Sequence, residues 1–222
     1  MKTTFLLLAV TIVFSACQKN NSSTSVSTDV YINTSAGSSW SYLQTDLTNI
    51  NPPSNYKVTS TSNDTTINSR KYHVYNYSYG GSEYLGVTGN DYYQYDSIPI
   101  SGGINIERLY LKDNASTGTT WDQNFTLTIP GVPLPVPLTV SNKIVEKGID
   151  RTENGTTYSN VIHVSTTLSS ALIPSSSLNS SIDSYYAPKY GLIENTTLFH
   201  LDYLGITQNV NIETKLLSAT IL

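Results

Sequence analysis

The sequence predicts an all-β protein: an antiparallel, strongly curved sheet (a half-barrel, or an open barrel or sandwich) built from two related modules. Three observations carry this prediction. β-branched and aromatic residues alternate with polar ones along most of the 222-residue chain. Turn dipeptides punctuate those runs, the strongest being Asn154-Gly155, because both central residues of a type I′ hairpin turn need positive φ. No stretch holds apolar residues at three- and four-residue spacing with caps at both ends, as an amphipathic helix would.

The strands are expected over residues 57–61, 72–79, 108–112, 125–129, 143–148, 161–168, 198–204 and 210–217. Gly89-Asn90 and Asn68-Ser69 are weaker hairpin signals. Residues 169–182 are read as holding a short helical turn. Residues 129–138 contain Pro130, Pro133, Pro135 and Pro137. Missing amide donors confine such a segment to an edge strand or an extended apolar loop; exposed, such a loop is a contact site, and the simpler reading is a loop folded onto its own core.

The chain also repeats itself. Gly37-Ser38-Ser39-Trp40 returns as Gly118-Thr119-Thr120-Trp121, and Thr66-x-Asn68-Ser69-x-x-Tyr72 returns as Thr152-x-Asn154-Gly155-x-x-Tyr158. Each half then sets a tyrosine pair before an apolar strand: Tyr92-Tyr93 before Leu109-Tyr110-Leu111, and Tyr185-Tyr186 before residues 198–204. The expected organisation is one β domain over residues 36–222, with halves of about 36–116 and 117–222.

Ahead of that domain, residues 1–16 form a secretory leader. Lys2 supplies the positive end, and residues 5–14 (FLLLAVTIVF) are too short to span a bilayer, which takes ~20 residues. Ser15 and Ala16 supply a small-residue cleavage site, and Cys17 follows at once. Residues 17–35, rich in Ser, Thr and Asn, lack periodicity and read as a tether with a reach on the order of 20 Å.

The run Phe14-Ser15-Ala16-Cys17 resembles the lipobox of bacterial lipoproteins, although Phe14 stands where Leu or Val is usual. The resemblance implies that Cys17 is lipidated and becomes the new N-terminus. Two acyl chains make a stable anchor where one does not. Gln18 in place of Asp implies the outer membrane; the periplasmic and surface faces both stay open. Gly37-Ser38-Ser39-Trp40-Ser41-Tyr42 and Tyr185-Tyr186-Ala187-Pro188-Lys189-Tyr190-Gly191-Leu192-Ile193 resemble a loose group of Bacteroidota outer-membrane lipoproteins. That resemblance implies a curved sheet akin to the half-barrels of lipoprotein carriers, and no chemistry.

Function is approached by exclusion. The formal charge of −4, about −5 without the leader, comes with no basic patch, so nucleic acid is not an expected partner. The single cysteine leaves none for a disulfide or a thiolate metal site. His73, His163 and His200 sit in no metal or nucleophile motif. No cofactor, metal or catalytic residue is expected, and the protein is read as non-enzymatic. Of the carboxylates that could pair for glycoside hydrolysis, Glu83, Asp91, Asp96, Glu107, Asp183 and Glu194, the spacing fixes no pair.

The ligand signal lies in the tyrosines, 17 in all. Tyr75, Tyr77 and Tyr79 alternate along one strand and so share a face; with Tyr93 and Tyr95 they are the candidate binding residues. Ring rows stack on sugars or line pockets for amphiphiles, and cross-strand tyrosine pairs also serve simply to hold a sheet together. The reading is therefore a membrane-anchored binding or envelope component for an apolar or amphiphilic ligand or an envelope protein. A glycan-binding module using the tyrosine row is the alternative, and a carboxylate-dependent hydrolase comes last.

Overall fold

Among the described residues twelve antiparallel strands follow one another in a meander that curls into a nearly closed barrel. The structure, a computed structural model, describes residues 30–98, 104–128 and 135–222. The leader, Cys17 and most of the proline-rich segment therefore lie outside the described residues. The strands are β1 (Ser39–Asp46), β2 (Ser54–Ile67), β3 (Arg70–Tyr77), β4 (Ser82–Thr88), β5 (Asp91–Ile98), β6 (Ile104–Lys112), β7 (Thr120–Leu127), β8 (Val136–Glu153), β9 (Thr156–Ser169), β10 (Leu178–Ala187), β11 (Gly191–Tyr203) and β12 (Ile206–Thr220). The sheet order is β6-β5-β4-β3-β2-β1-β12-β11-β10-β9-β8-β7. Each strand thus pairs with its sequence neighbours except at β6 and β7, the two edges of the sheet, and β1 pairs with β12 to join the first and last strands.

Every predicted strand falls on one of these elements; those over 72–79, 125–129 and 198–204 run past the ends of β3, β7 and β11, and residue 129 lies outside the described residues. Two-residue turns with positive φ join β2 to β3 at Asn68-Ser69 and β8 to β9 at Asn154-Gly155, as the dipeptides require. Leu204-Gly205 makes the same turn between β11 and β12. The helical turn expected over 169–182 is reduced to one turn at Pro174–Leu178 within a loop. It closes once, where the Ser177 and Leu178 amides donate to the Pro174 carbonyl (2.8 and 3.1 Å), and then enters β10. Proline at 174 supplies an acceptor without a donor, and the following serines favour a turn over continued helix. Pro137 lies in β8, opposite Thr126 of the terminal strand β7, and beyond the last β9 pair at Thr139–Ser169. Its missing amide therefore interrupts no ladder bond.

The two halves of six strands begin alike. Gly37 (φ 90°) and Gly118 (φ 87°) both follow a turn closed by the next residue's amide, Ser38 to Ser35 and Thr119 to Ser116, each at 3.0 Å. The Gly37 amide donates to Ser60 of β2 and the Gly118 amide to Ile144 of β8, at 2.9 and 2.8 Å. Trp40 and Trp121 are then the second residues of β1 and β7. The tyrosine pairs do not correspond in this way: Tyr92-Tyr93 lies in the fifth strand of its half and Tyr185-Tyr186 in the fourth.

One end of the barrel is packed solid. Trp40, Tyr158, Val161, Ile193 and Leu216 form one buried cluster there, and Tyr31, Tyr92, Leu111, Ile144 and Ile162 form another. The segment around Tyr31 was expected to belong to the tether, but it is a strap across this end. The Tyr31 hydroxyl donates to the Asn160 carbonyl at 2.7 Å, its amide donates to the Tyr92 hydroxyl at 3.2 Å, and the Lys189 amide donates to the Val30 carbonyl at 2.7 Å. A ring of this size gains more by burial than a tether gains by freedom.

Between β6 and β7 the backbone ladder is missing, and side chains do its work. The Leu109 amide donates to Gln123 Oε1 (2.7 Å), Trp121 Nε1 donates to the Leu109 carbonyl (2.8 Å), and Gln123 Nε2 donates to the Glu107 carbonyl (3.4 Å). These bonds occupy backbone groups of an edge strand that would otherwise invite pairing with another chain.

Candidate functional site

The barrel encloses a cavity of about 650 Å³, the size of small-ligand sites. Inward side chains recur at every second residue, and this alternation supplies its wall. From β8 these are Val136, Leu138, Val140 and Asn142; from β6, Ile106, Arg108 and Tyr110. At the end away from the Tyr31 strap the lining is apolar: Leu127, Leu138, Val140, Leu178, Phe199 and Leu201 are all buried and belong to one cluster. Against β1–β6 the lining is aromatic and charged, with Tyr42, Tyr56, Tyr77, Glu83, Gln94 and Arg108.

The charged side chains form a relay across three strands. Arg108 Nη2 donates to Gln94 Oε1 at 2.5 Å, and Gln94 Nε2 donates to Glu83 Oε1 at 2.8 Å. Burial, reinforced by the negative charge of Asp96, pushes the Glu83 carboxyl up to about 7, against the opposing pull of Arg108 and the bond from Gln94. Burial also raises Tyr75 and Tyr77, with the Glu83 charge adding to it, so both hydroxyls stay protonated. Trp40 Nε1, Asn142 Nδ2 and Arg108 Nε find no hydrogen-bond partner, and all three residues line the cavity.

Of the residues singled out in the sequence, Tyr75, Tyr77 and Tyr79 line this cavity together. They do not form a flat exposed platform. Tyr75 is only 2% exposed and donates to the Asn33 carbonyl at 2.8 Å. Tyr79 is 70% exposed, and its ring stacks on Tyr77 at 4.9 Å. Tyr93 and Tyr95 do not line the cavity. Tyr93 lies under the Arg70 guanidinium, 3.2 Å from its ring centroid, and Tyr95 packs edgewise on Tyr84. Strand alternation explains the split, because Gln94 and Asp96 of the same strand point inward.

Glu83 and Asp96 are the two of the six candidate carboxylates that line the cavity. Asp91 bridges to Lys112, Glu107 to Arg70, Asp183 to His163 and Glu194 to Arg151. Each histidine is held in a local bond: His73 between Ser60 and Asp64 (2.8 Å each), His163 on Asp183 (2.8 Å), and His200 on Asn209. Among the described residues no group of three or more His, Cys, Asp or Glu is placed to hold a metal. Sequence reasoning missed Arg108, Gln94 and the apolar wall as site residues. The alternation in β6 and β8 was the available signal, but it does not say which face turns inward.

No protein-family model matches the chain, and no curated protein does. Solved structures do. A protein described as an exported-protein candidate with a YmcC-like fold, from Bacteroides fragilis NCTC 9343, superposes with a TM-score of 0.50 at 9% identity, over 86% of this chain and 99% of the other. A lipoprotein candidate from Parabacteroides distasonis ATCC 8503 gives a TM-score of 0.48 at 10% identity over the same shares. At these identities the first likeness speaks for the fold.

Proposed function

We propose that the protein is a lipid-anchored, non-enzymatic component of the cell envelope that holds one single-chain amphiphile inside its barrel. The observation that carries this is the 650 Å³ cavity, apolar at one end and aromatic and hydrogen-bonding along one wall. A cavity of this size falls in the range of sites that enclose a small ligand, and one acyl chain with its head is a ligand of that class. The leader, the small residues before Cys17 and the tether support export and anchoring at the outer membrane, and the shared fold with an exported-protein candidate agrees with export. The matching turn geometry at Gly37 and Gly118 supports descent of the halves from one duplicated module.

Two experiments test this. Native mass spectrometry of protein purified from its own host, followed by solvent extraction, is expected to release a single-chain lipid in near-equimolar amount. A protein that carries nothing and displaces no bound naphthylamine dye would overturn the binding reading. Cys17→Ser is expected to move the protein from the membrane to the soluble fraction, and unchanged fractionation would overturn the anchor.

A further inference from the structure

We infer that the cavity selects amphiphiles with a positively charged head, an amine or quaternary ammonium group, held against Glu83 and Asp96 and the tyrosine faces beside them. This rests on the amphiphile-binding reading above. Among the described residues three charged side chains line the cavity: Glu83, Asp96 and Arg108. Two carboxylates stand beside one guanidinium, Glu83 half-buried and Asp96 open to solvent, so the wall carries more carboxylates than cations. Arg108 is already committed, through Gln94, to the Glu83 side of the wall. An anionic head brought to Arg108 meets two carboxylates as well, whereas a cationic head brought to the carboxylates meets one guanidinium.

The rings beside these carboxylates favour the same sign. Tyr77 and Tyr79 are stacked, and Tyr56 sets its ring edgewise to both, at 6.0 and 5.8 Å. The face of an aromatic ring is its negative side and attracts cations. A separate observation points to a ligand in this space. Trp40 and Asn142 are 4% and 3% exposed and line the cavity, yet Nε1 and Nδ2 lack partners. They are donors suited to the neutral oxygens that link a head to its chain. The raised Glu83 carboxyl, pushed up to about 7 by burial and then by Asp96, is what a carboxylate short of positive charge becomes. A bound cation would lower it again and release a proton near neutral pH.

The test uses three ligands with the same twelve-carbon chain, each below its micellar concentration, displacing the neutral dye N-phenyl-1-naphthylamine. They are dodecyltrimethylammonium, the neutral glycerol ester of dodecanoic acid, and dodecanoate. The ammonium is expected to bind at least about tenfold more tightly than dodecanoate, with the ester between them. The double variant Glu83→Gln, Asp96→Asn is expected to erase the difference and leave the ester unchanged. Equal or tighter binding of dodecanoate, or a preference that survives the double variant, overturns the inference. Should that variant fail to fold, the unaltered protein decides the matter. Its ammonium preference must be smaller at about pH 5.5 than at about pH 8.5, and the absence of that shift overturns the inference. If the ester and the dye fail to bind as well, the amphiphile reading falls and takes this inference with it.

Discussion

The two halves of the barrel show different walls to the same cavity. Strands β1–β6 contribute all three charged lining residues and tyrosines 42, 56, 75 and 77; strands β7–β12 contribute the apolar group Leu127, Leu138, Val140, Leu178, Phe199 and Leu201 and uncharged polar residues such as Asn142, Ser184 and Thr214, and no charge. Yet both halves have six strands, and both open with the same glycine turn and tryptophan position. In a meander the ladder uses backbone groups, so inward side chains can change without altering the pairing. The difference between the walls is therefore one of side-chain chemistry, and it places every charged lining residue on one side of the interior.

The sharpest way to break this contrast is to put a charge on the apolar side. Val140 is 2% exposed, and Val140→Lys is expected to lose about 3–5 kcal/mol of stability in chemical denaturation, the scale of an uncompensated buried charge. Glu83→Leu, on the opposite wall, removes a charge already disfavoured there and is expected to leave the protein at least as stable. Equal losses would erase the distinction. Next comes filling the cavity. Leu138→Trp is expected to cost about 1–3 kcal/mol through overpacking and to abolish dye binding, and a variant that still binds would show that the apolar side does not hold the chain.

The join between the halves is a weaker lever. Gln123→Ala removes the acceptor of the Leu109 amide and is expected to cost about 1 kcal/mol. Hydrogen exchange should speed up at Leu109 first, and a change spread over all strands would show that the seam is not a separate unit. The smallest effect is a pH slope. The folded-state carboxyl of Glu83 is raised to about 7, above its unfolded value near 4.5. Its contribution to stability is therefore whole below pH 4.5 and lost as pH rises toward 7. Glu83→Gln should flatten the urea-denaturation midpoint over that window. Glu153, also raised to about 7 by burial and the neighbouring Glu194, acts in the same direction, so part of the slope must remain.

Much of this fold was legible because local signals agreed with one another. Positive-φ turn residues, period-two patterning and the absence of helical spacing all pointed to an antiparallel meander, and the paired Asn turns marked hairpins at the right places. The strap was not legible: Val30, Tyr31 and Ile32 are three large side chains in a polar stretch, and only the packed barrel end gives Tyr31 somewhere to go. The site was half legible. Tyr75, Tyr77 and Tyr79 were found because they cluster, but their role as a lining rather than a platform depends on curvature, which no local pattern encodes. Tyr93 and Tyr95 were grouped with them by density alone, and the period of two then turned them away from the cavity.

The seam between β6 and β7 has a further consequence. A barrel whose ladder runs all the way round has a girth dictated by strand number and tilt. Among the described residues this one is buttoned by Trp121 and Gln123, and its girth there follows the reach of two side chains. Exchanging those two residues for longer or shorter ones would let out or take in the container, leaving every strand pairing as it stands.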